Sequence, residues 1–242
     1  MAEELQLTVE EQEALLDTTL MYDLIPAREA VNKMAGFVGL DLSTATRDSR
    51  KNVIDEETTL IAIVFSDAEG NKKVTYSSKN NDVDVTGGVF VEEGGVKVLK
   101  GYEFEGEEIV EDVNDEVTDE FLEEVEDFDI DFSEFEGAQL DDNTEADSTE
   151  ENGEVVEQGS WYCLYGNWCG PKCSGPLRPV NKVDRCCEIH DHCYGKHGYF
   201  NCRCDREVAA CLRPYARAGN KSAAMMATYF RSTLCRTYRS YM

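Results

Sequence analysis

The sequence predicts a protein of two parts: a small α+β domain over residues 1–110 and a disulfide-rich, mainly α domain over 161–242, joined by an acidic segment over 111–160. Three observations support this division. Residues 1–160 carry 10 Lys and Arg against 45 Asp and Glu, whereas the last part carries 13 against 5. All ten cysteines lie in the last part. Short apolar runs with glycine-rich turns occur in the first part. The change in the sign of the charge indicates two separate bodies.

The first part combines one helical pattern with several strand patterns. Thr8 and Glu11 form a capping box, and apolar residues follow at helical spacing up to Pro26. Strand-like runs with glycine-rich turns then occur at 59–66, 72–78, 87–93 and 94–100. No catalytic motif is apparent among these residues, so the sequence leaves the role of this domain open.

The acidic segment has an apolar stripe. Residues 101–160 contain 26 acidic residues and no lysine or arginine. Apolar residues spaced three or four apart predict an amphipathic helix over 113–135, although "DFDIDF" also alternates like a strand. The stripe consists of Val113, Val117, Phe121, Val125, Phe128, Phe132 and Phe135. Residues 137–160 have the composition of a disordered linker. The stripe is expected either to pack on the first domain or to mask the last one.

The last part is too small to be stable without cross-links. It has only 82 residues, and cysteine at this density is typical of disulfides formed in an oxidising compartment. The stretch "MAEELQLTVEEQEALL" has neither a basic region nor an apolar core, so no secretory signal is expected there, and no apolar run is long enough to span a membrane. We therefore expect a secreted or otherwise extracytoplasmic protein, exported by a route that the sequence does not reveal.

Two cysteine-bearing segments, "DRCCEIHDHCYG" and "CRCDREVAAC", have matching periods. Cys186 and Cys193 are seven residues apart, as are Cys204 and Cys211. If both segments are helices and run antiparallel, Cys193 faces Cys204 and Cys186 faces Cys211 at two levels in register. The spacing predicts two antiparallel helices joined by two disulfides.

This register brings acid–base groups together. His190 lies between the two bridges, and Asp205 faces a level about 3 Å along the axis from it. A carboxylate at this position fixes the tautomer of the imidazole and stabilises its protonated form. Tyr194, one turn after His190, can donate a hydrogen bond to Asp205. Asp191 points about 100° away, where it is free to bind another group.

Upstream, "YGNWCGPKCSGP" is a glycine- and proline-rich loop whose carbonyls, with one carboxylate, suit a calcium ion. The alternative is a zinc cluster, but adjacent cysteines and a His–Asp pair offer poor tetrahedral spacing. His192 and His197 are expected to be exposed polar residues rather than ligands.

The motifs "WCG", "DRCCEIHDHCY" and "CRCD" resemble the secreted phospholipase A2 family over about residues 161–235. The resemblance implies calcium-dependent hydrolysis of the sn-2 ester of glycerophospholipids, releasing fatty acid and lysophospholipid. It implies that His190 is the general base, that Asp205 orients it and that Tyr194 supports this network. It says nothing about residues 1–150.

The resemblance also implies a metal site and a cross-linking pattern. Calcium is expected to be bound by the Asp191 side chain and by the backbone carbonyls of Trp168, Gly170 and Lys172. Many family members have glycine at the position of Lys172, which puts the affinity for calcium in question. The implied further bridges are Cys169–Cys187 and Cys202–Cys235, which leaves Cys163 to pair with Cys173.

The expected partner is a phospholipid membrane surface, with no nucleic acid, and the protein is expected to be a monomer. A docking face is expected from aromatic and basic residues: Trp161, Tyr162, Tyr199, Phe200, Arg178, Lys182, Arg203 and Arg206. The acidic half is expected to mask this face within the same chain, as in a proprotein. The alternative is a non-catalytic, cysteine-rich membrane-active or receptor-binding toxin with an acidic immunity or pro domain.

Overall fold

The computed structural model describes residues 27–55, 58–130, 163–170 and 173–232. The helix expected before Pro26 and the linker expected over 137–160 lie outside these residues. The described elements, in chain order, are helix α1 (Arg28–Val38), strands β1 (Thr46–Asp55), β2 (Thr58–Ser66), β3 (Lys72–Lys79), β4 (Asp82–Glu93), β5 (Val96–Glu105) and β6 (Glu108–Glu116), and helices α2 (Asp119–Asp127), α3 (Lys182–His197), α4 (Cys202–Arg217) and α5 (Lys221–Ser232).

The six strands form one antiparallel sheet in which each strand pairs with the next along the chain. The four predicted strands are confirmed as β2 to β5. The edge strands β1 and β6 were not predicted, because "TRDSRKNVID" and "EIVEDVNDE" are largely charged or polar. Charged side chains are typical of edge strands, where they oppose pairing with another chain.

Both faces of the sheet are covered. In β2, Ile61, Ile63 and Phe65 pack with α1, whereas Leu60 and Ala62 point to the other face. On that face they share a core with the C-terminal helices. The chain therefore forms three layers, with α1 on one side of the sheet and the cysteine-bearing helices on the other.

The helix expected over 113–135 is wrong in its extent. Residues up to Glu116 belong to β6, where Val113 pairs with Gly101 of β5. The helix α2 begins only after Thr118, whose hydroxyl accepts a hydrogen bond from the backbone N–H of Phe121 at 3.1 Å. The sheet thus continues past the boundary expected at residue 110, because a ladder with β5 satisfies the backbone of this segment.

The apolar stripe packs where its residues are described. Val117, Phe121 and Val125 contact a cluster of Leu99, Val113 and Ala218, and Phe128 is buried in the core shared with the helices. Phe132 and Phe135 lie outside the described residues. The stripe therefore follows the interface between the sheet and the C-terminal helices.

Disulfides join the C-terminal elements. The bridges with both ends described are Cys163–Cys173, Cys169–Cys187, Cys186–Cys211 and Cys193–Cys204. Cys202 is also disulfide-bonded, and the Cys235 expected as its partner lies outside the described residues. The two bridges between α3 and α4 hold their Cα atoms 5.8 and 5.6 Å apart.

The two parts share one hydrophobic core. Leu60 of β2 and Phe128 after α2 are buried in the same cluster as Leu212 and Tyr215 of α4 and Met225 of α5. The two parts that differ in charge therefore pack against each other through this core, while the core between α1 and the other face of the sheet belongs to the N-terminal part alone. Within the described ranges, no helix has the length and apolar content needed to cross a membrane.

Candidate active site

His190 of α3 and Asp205 of α4 form a buried pair. Nε2 of His190 lies 3.2 Å from Oδ1 of Asp205, and the two residues are 8% and 2% exposed. The disulfides between α3 and α4 lie on either side of this pair and hold the helices at a constant separation. The structure thus brings together the two residues expected to form the acid–base pair.

Tyr194 supports this pair from one turn further along α3. Its hydroxyl donates a hydrogen bond to the same Oδ1 of Asp205, and its ring centroid lies 4.1 Å from that of His190. Burial and the nearby Asp205 carboxylate raise the pKa of the Tyr194 hydroxyl far above its ordinary value. The hydroxyl therefore stays protonated and remains a donor.

Besides Tyr194, a second aromatic residue contacts the His190 ring. Phe230 of α5 contacts it edge to face, with ring centroids 4.6 Å apart and an angle of 64° between the planes. Because Nε2 faces Asp205, Nδ1 is the nitrogen that remains for proton transfer. Sequence analysis missed Phe230, since no spacing relates it to His190 before α5 is placed.

Asp191 is separate from the acid–base pair. Its Oδ2 accepts a hydrogen bond from the Ser174 hydroxyl at 3.0 Å, so the carboxylate lies against the upstream loop. Burial raises the pKa of Asp191 to about 6, although the hydrogen bond from Ser174 opposes this rise. A carboxylate that has lost much of its water is stabilised in its charged form by a bound cation.

A second carboxylate, which sequence analysis missed, fixes the backbone of this loop. Asp184 is fully buried and accepts hydrogen bonds from the backbone N–H groups of Asn167, Trp168 and Val180 at 2.9, 2.9 and 3.0 Å. Gly166 has a φ of +60°, and a Cβ there would lie 2.3 Å from the Asp184 carboxyl carbon. The sequence feature that could have identified Asp184 is its place as an acidic residue in the first turn of α3, directly after the loop.

Disulfides and the indole hold the loop against α3. Cys169 is bonded to Cys187, which lies four residues before Asp191 and therefore on the same face of α3. The Trp168 indole donates a hydrogen bond to the Leu177 carbonyl at 2.8 Å. Of the expected metal ligands, Trp168, Gly170 and Asp191 are described, and Lys172 lies outside the described residues.

The donor set suits a hard cation. Among the residues that the structure describes, no group of three or more His, Cys, Asp or Glu side chains is arranged to hold a metal ion. A site of backbone carbonyls and one carboxylate is of another kind, with the oxygen ligands that calcium prefers. The partly buried Asp191 carboxylate, which contacts the loop through Ser174, fits such an ion.

Several apolar side chains of the loop, of α3 and of the α3–α4 connection are exposed. Tyr199 and Phe200 are 78% and 53% exposed, and Leu177, Val180 and Ile189 are also exposed. Trp161 and Tyr162 of the expected docking face lie outside the described residues.

The expected basic residues of this face are partly paired. Arg203 is paired with Glu207 at 2.8 Å, and Lys182 with Glu120 of α2 at 3.1 Å. His192 and His197 are exposed, as expected.

Curated proteins resemble the C-terminal region. An acidic phospholipase A2, PhTX-III, of Bothrocophias hyoprora is 39% identical over 71 residues, which cover 24% of this chain and 65% of that protein. A basic phospholipase A2 of Agkistrodon piscivorus leucostoma is 41% identical over 66 residues, which cover 22% of this chain and 67% of that protein. The probable phospholipase A2 homolog 1 of Oryza sativa subsp. japonica is 37% identical over 57 residues, covering 23% of this chain and 41% of that protein.

The chain thus spans about two thirds of the length of the first two relatives and less than half of the third. No family model matches the chain. No solved structure matches it either. Through its C-terminal region, the chain belongs to the phospholipase A2 family.

Proposed function

We propose that this protein is a calcium-dependent phospholipase A2, which hydrolyses the sn-2 ester of glycerophospholipids to a fatty acid and a lysophospholipid. The observation that carries the proposal is the buried His190–Asp205 pair beside a disulfide-anchored loop. Two of the relatives are named as phospholipases A2, and this supports the same reaction class for this chain.

His190 is the general base in this proposal. Its Nδ1 takes a proton from the water whose oxygen bonds to the ester carbonyl carbon. Asp205, held at Nε2, stabilises the imidazolium that forms, and the Tyr194 hydroxyl keeps the Asp205 carboxylate in place. When the ester C–O bond breaks, His190 returns the proton to the departing glycerol oxygen.

The Asp191 carboxylate and the backbone carbonyls of Trp168, Gly170 and Lys172 would hold the calcium ion. When bound, the ion supplies charge stabilisation for the substrate phosphate and for the developing oxyanion. Asp184 keeps the loop backbone in position for this task. Any residue type carries the carbonyl oxygen that would serve at position 172, but the backbone conformation that it needs is reached more readily by glycine than by Lys172.

Exposed aromatic residues support contact with a membrane, and the disulfides support a location outside the cytoplasm. Tyr199 and Phe200 would contact a phospholipid surface, since aromatic side chains suit the boundary between lipid and water. Disulfides at this density support an extracytoplasmic, oxidising environment.

We also propose that the protein is made as an acidic proprotein and that its acidic half restrains the enzyme on anionic membranes by charge. Tyr199 and Phe200 are exposed, so the described part of the acidic half does not cover them and the proposed restraint acts through charge. The net charge of −27 opposes approach to an anionic surface, and salt screens such repulsion.

The test of the reaction measures fatty-acid release from phosphatidylcholine vesicles by the full chain, with calcium or with excess chelator. Release that requires calcium, stops on chelation and returns when calcium is restored is the expected result. Leakage of a trapped dye without fatty-acid release would support the non-catalytic, membrane-active alternative and overturn the proposed hydrolysis.

The test of the charge restraint compares vesicles with and without anionic lipid at low and high salt. Activity on anionic vesicles should rise with salt, while activity on zwitterionic vesicles should change little. Equal salt dependence on both vesicle types would contradict a restraint by charge.

A further inference from the structure

The C-terminal end of α5 is held by the sheet through three neighbouring residues. The buried hydroxyls of Thr228 and Ser77 of β3 are hydrogen-bonded at 2.8 Å. Lys79 Nζ lies 4.3 Å from the centroid of the Tyr229 ring. Arg231 pairs with Asp84 of β4 at 2.9 Å and with Glu103 of β5 at 3.5 Å. These contacts fix the rotation of α5 about its own axis.

The residue between them faces the other way. On a helix, Phe230 is about 200° around the axis from Thr228. The Thr228 side therefore faces the sheet, whereas Phe230 reaches the ring of His190 at a centroid distance of 4.6 Å. A single turn of α5 thus connects β3 and β4 to the acid–base pair.

We propose that the N-terminal sheet positions His190 through α5, with Phe230 as the positioning residue. The inference rests on the proposed hydrolysis. The His190 ring is bounded by Tyr194 of α3, by Asp205 of α4 and by Phe230. The described bridges secure the first two helices to each other, while the sheet secures the orientation of α5.

This arrangement predicts a defined kinetic effect. Removing the Phe230 ring leaves space into which His190 can turn, and a turn of the imidazole misaligns both Nδ1 and the bond from Nε2 to Asp205. Small displacements of a reacting group lower the rate strongly without weakening substrate binding. The sheet thereby contributes to catalysis although none of its residues takes part in the chemistry.

The first experiment uses the full chain with calcium and a monomeric short-chain phosphatidylcholine, so that membrane docking does not enter. Phe230→Ala should lower kcat by at least about 10-fold with KM within about 2-fold of the native value. Phe230→Tyr, which keeps the ring, should retain kcat within about 3-fold. In side-chain nitrogen NMR spectra, the His190 resonances should be sharp in the native chain and exchange-broadened in Phe230→Ala.

The second experiment tests the role of the sheet. The double variant Ser77→Ala/Asp84→Asn removes contacts near Phe230, and Asp48→Asn removes the ion pair with Lys221 at the other end of α5. The double variant should lower kcat about 5-fold and broaden the His190 resonances, whereas Asp48→Asn should do neither.

Native kcat and sharp His190 resonances in Phe230→Ala would overturn the role of this residue, and equal effects of the two sheet variants would overturn the role of the sheet. If the native chain releases no fatty acid with calcium, the proposed hydrolysis fails. The NMR comparison still tests the positioning in that case, since it does not require turnover.

Discussion

The two halves of this molecule are stabilised by different means. Residues 27–130 contain no cysteine, and their strands follow one another in a sheet whose ladders join neighbouring segments. Residues 163–232 have three helices, and the described disulfides join α3 to α4 and the preceding loop to α3. A short segment without a sheet buries little surface, and cross-links compensate by restricting the unfolded chain. The comparison teaches that the cysteine-bearing half is cross-linked within itself but completes its core only against the sheet.

The surface on which the halves meet is shaped by two glycines. Gly88 of β4 and Gly101 of β5 are directly paired, and a Cβ on Gly88 would lie 1.9 Å from the carbonyl oxygen of Arg217. The end of α4 therefore rests on the backbone of the sheet. From there the buried Arg217 side chain reaches Asp112 of β6 at 2.6 Å. Because these two glycines lack side chains, the sheet leaves room for the backbone of α4.

A buried carboxylate joins the halves at a second point. Glu124 of α2 accepts hydrogen bonds from the Tyr215 hydroxyl at 2.6 Å and from the backbone N–H of Lys182 at 2.9 Å. The second bond places a negative charge at the beginning of α3, where the helix dipole favours it. The acidic half thus supplies specific partners as well as an excess of negative charge.

The largest expected effect is a loss of turnover when His190, in the helical half, is replaced. Because His190 is the proposed general base, His190→Gln should lower kcat about 10²–10⁴-fold while the melting temperature stays near the native value. His197→Gln, on the exposed end of the same helix, is the matched control and should keep native turnover. Comparable losses in the two variants, measured by fatty-acid release, would sink the assignment.

The next effect concerns the interface. Arg217→Ala removes the nearer of the two arginines that pair with the buried side chain of Asp112. Because Arg213 remains 3.3 Å from that carboxylate, the free energy of unfolding should fall by about 3 kcal/mol, the low end of the cost of breaking a buried pair. The control is Arg203→Ala, which removes an exposed pair within α4 and should cost less than about 1 kcal/mol. Urea denaturation measures both, and a small loss for Arg217→Ala would show that the halves are only loosely joined.

The disulfides of α3 and α4 provide a graded test. Replacing Cys186 and Cys211 with alanine should destabilise the protein by about 2–4 kcal/mol. Replacing Cys193 and Cys204 should cost about 0.7 kcal/mol less, because that bridge closes a loop with a separation of 11 rather than 25 residues. Thermal unfolding of the two double variants checks this order, and the reverse order would argue against stabilisation through the unfolded chain.

Adding one methyl group at Gly88 should weaken the packing of α4 on the sheet. Gly88→Ala places a Cβ against the Arg217 backbone and should cost about 1–3 kcal/mol, since a backbone atom cannot move aside. Gly36→Ala in α1 has open space around its Cβ and should be neutral or stabilising by about 0.5–1 kcal/mol. Urea denaturation compares them, and equal stabilities would mean that α4 does not rest on this glycine.

The smallest effect is a pH dependence confined to the helical half. Burial raises the pKa of Asp191 from 3.8 to about 6, so its contribution to stability is fully present below about pH 3.8 and is lost as the pH rises through about 6. In chelator, the native melting temperature should therefore fall relative to that of Asp191→Asn between pH 4 and pH 7. A constant difference across this range would contradict a desolvated carboxylate.

Helix geometry made part of the site predictable from the sequence. The seven-residue spacing of the cysteines places Cys186 opposite Cys211 and Cys193 opposite Cys204, and the same register brings Asp205 to His190. These relations depend only on the direction in which side chains leave a regular helix. Apolar and β-branched composition likewise determined strands β2 to β5.

Only the tertiary structure decided the rest. Val113 has the spacing of a helical stripe, yet pairing with Gly101 makes it part of a strand. The contacts of Phe230 with His190 and of Arg217 with Asp112 join segments that no local period relates. Local patterns determine which way a side chain points within its own element. The partner that it meets depends on how distant elements pack, and that is settled by the burial of surfaces from the whole chain.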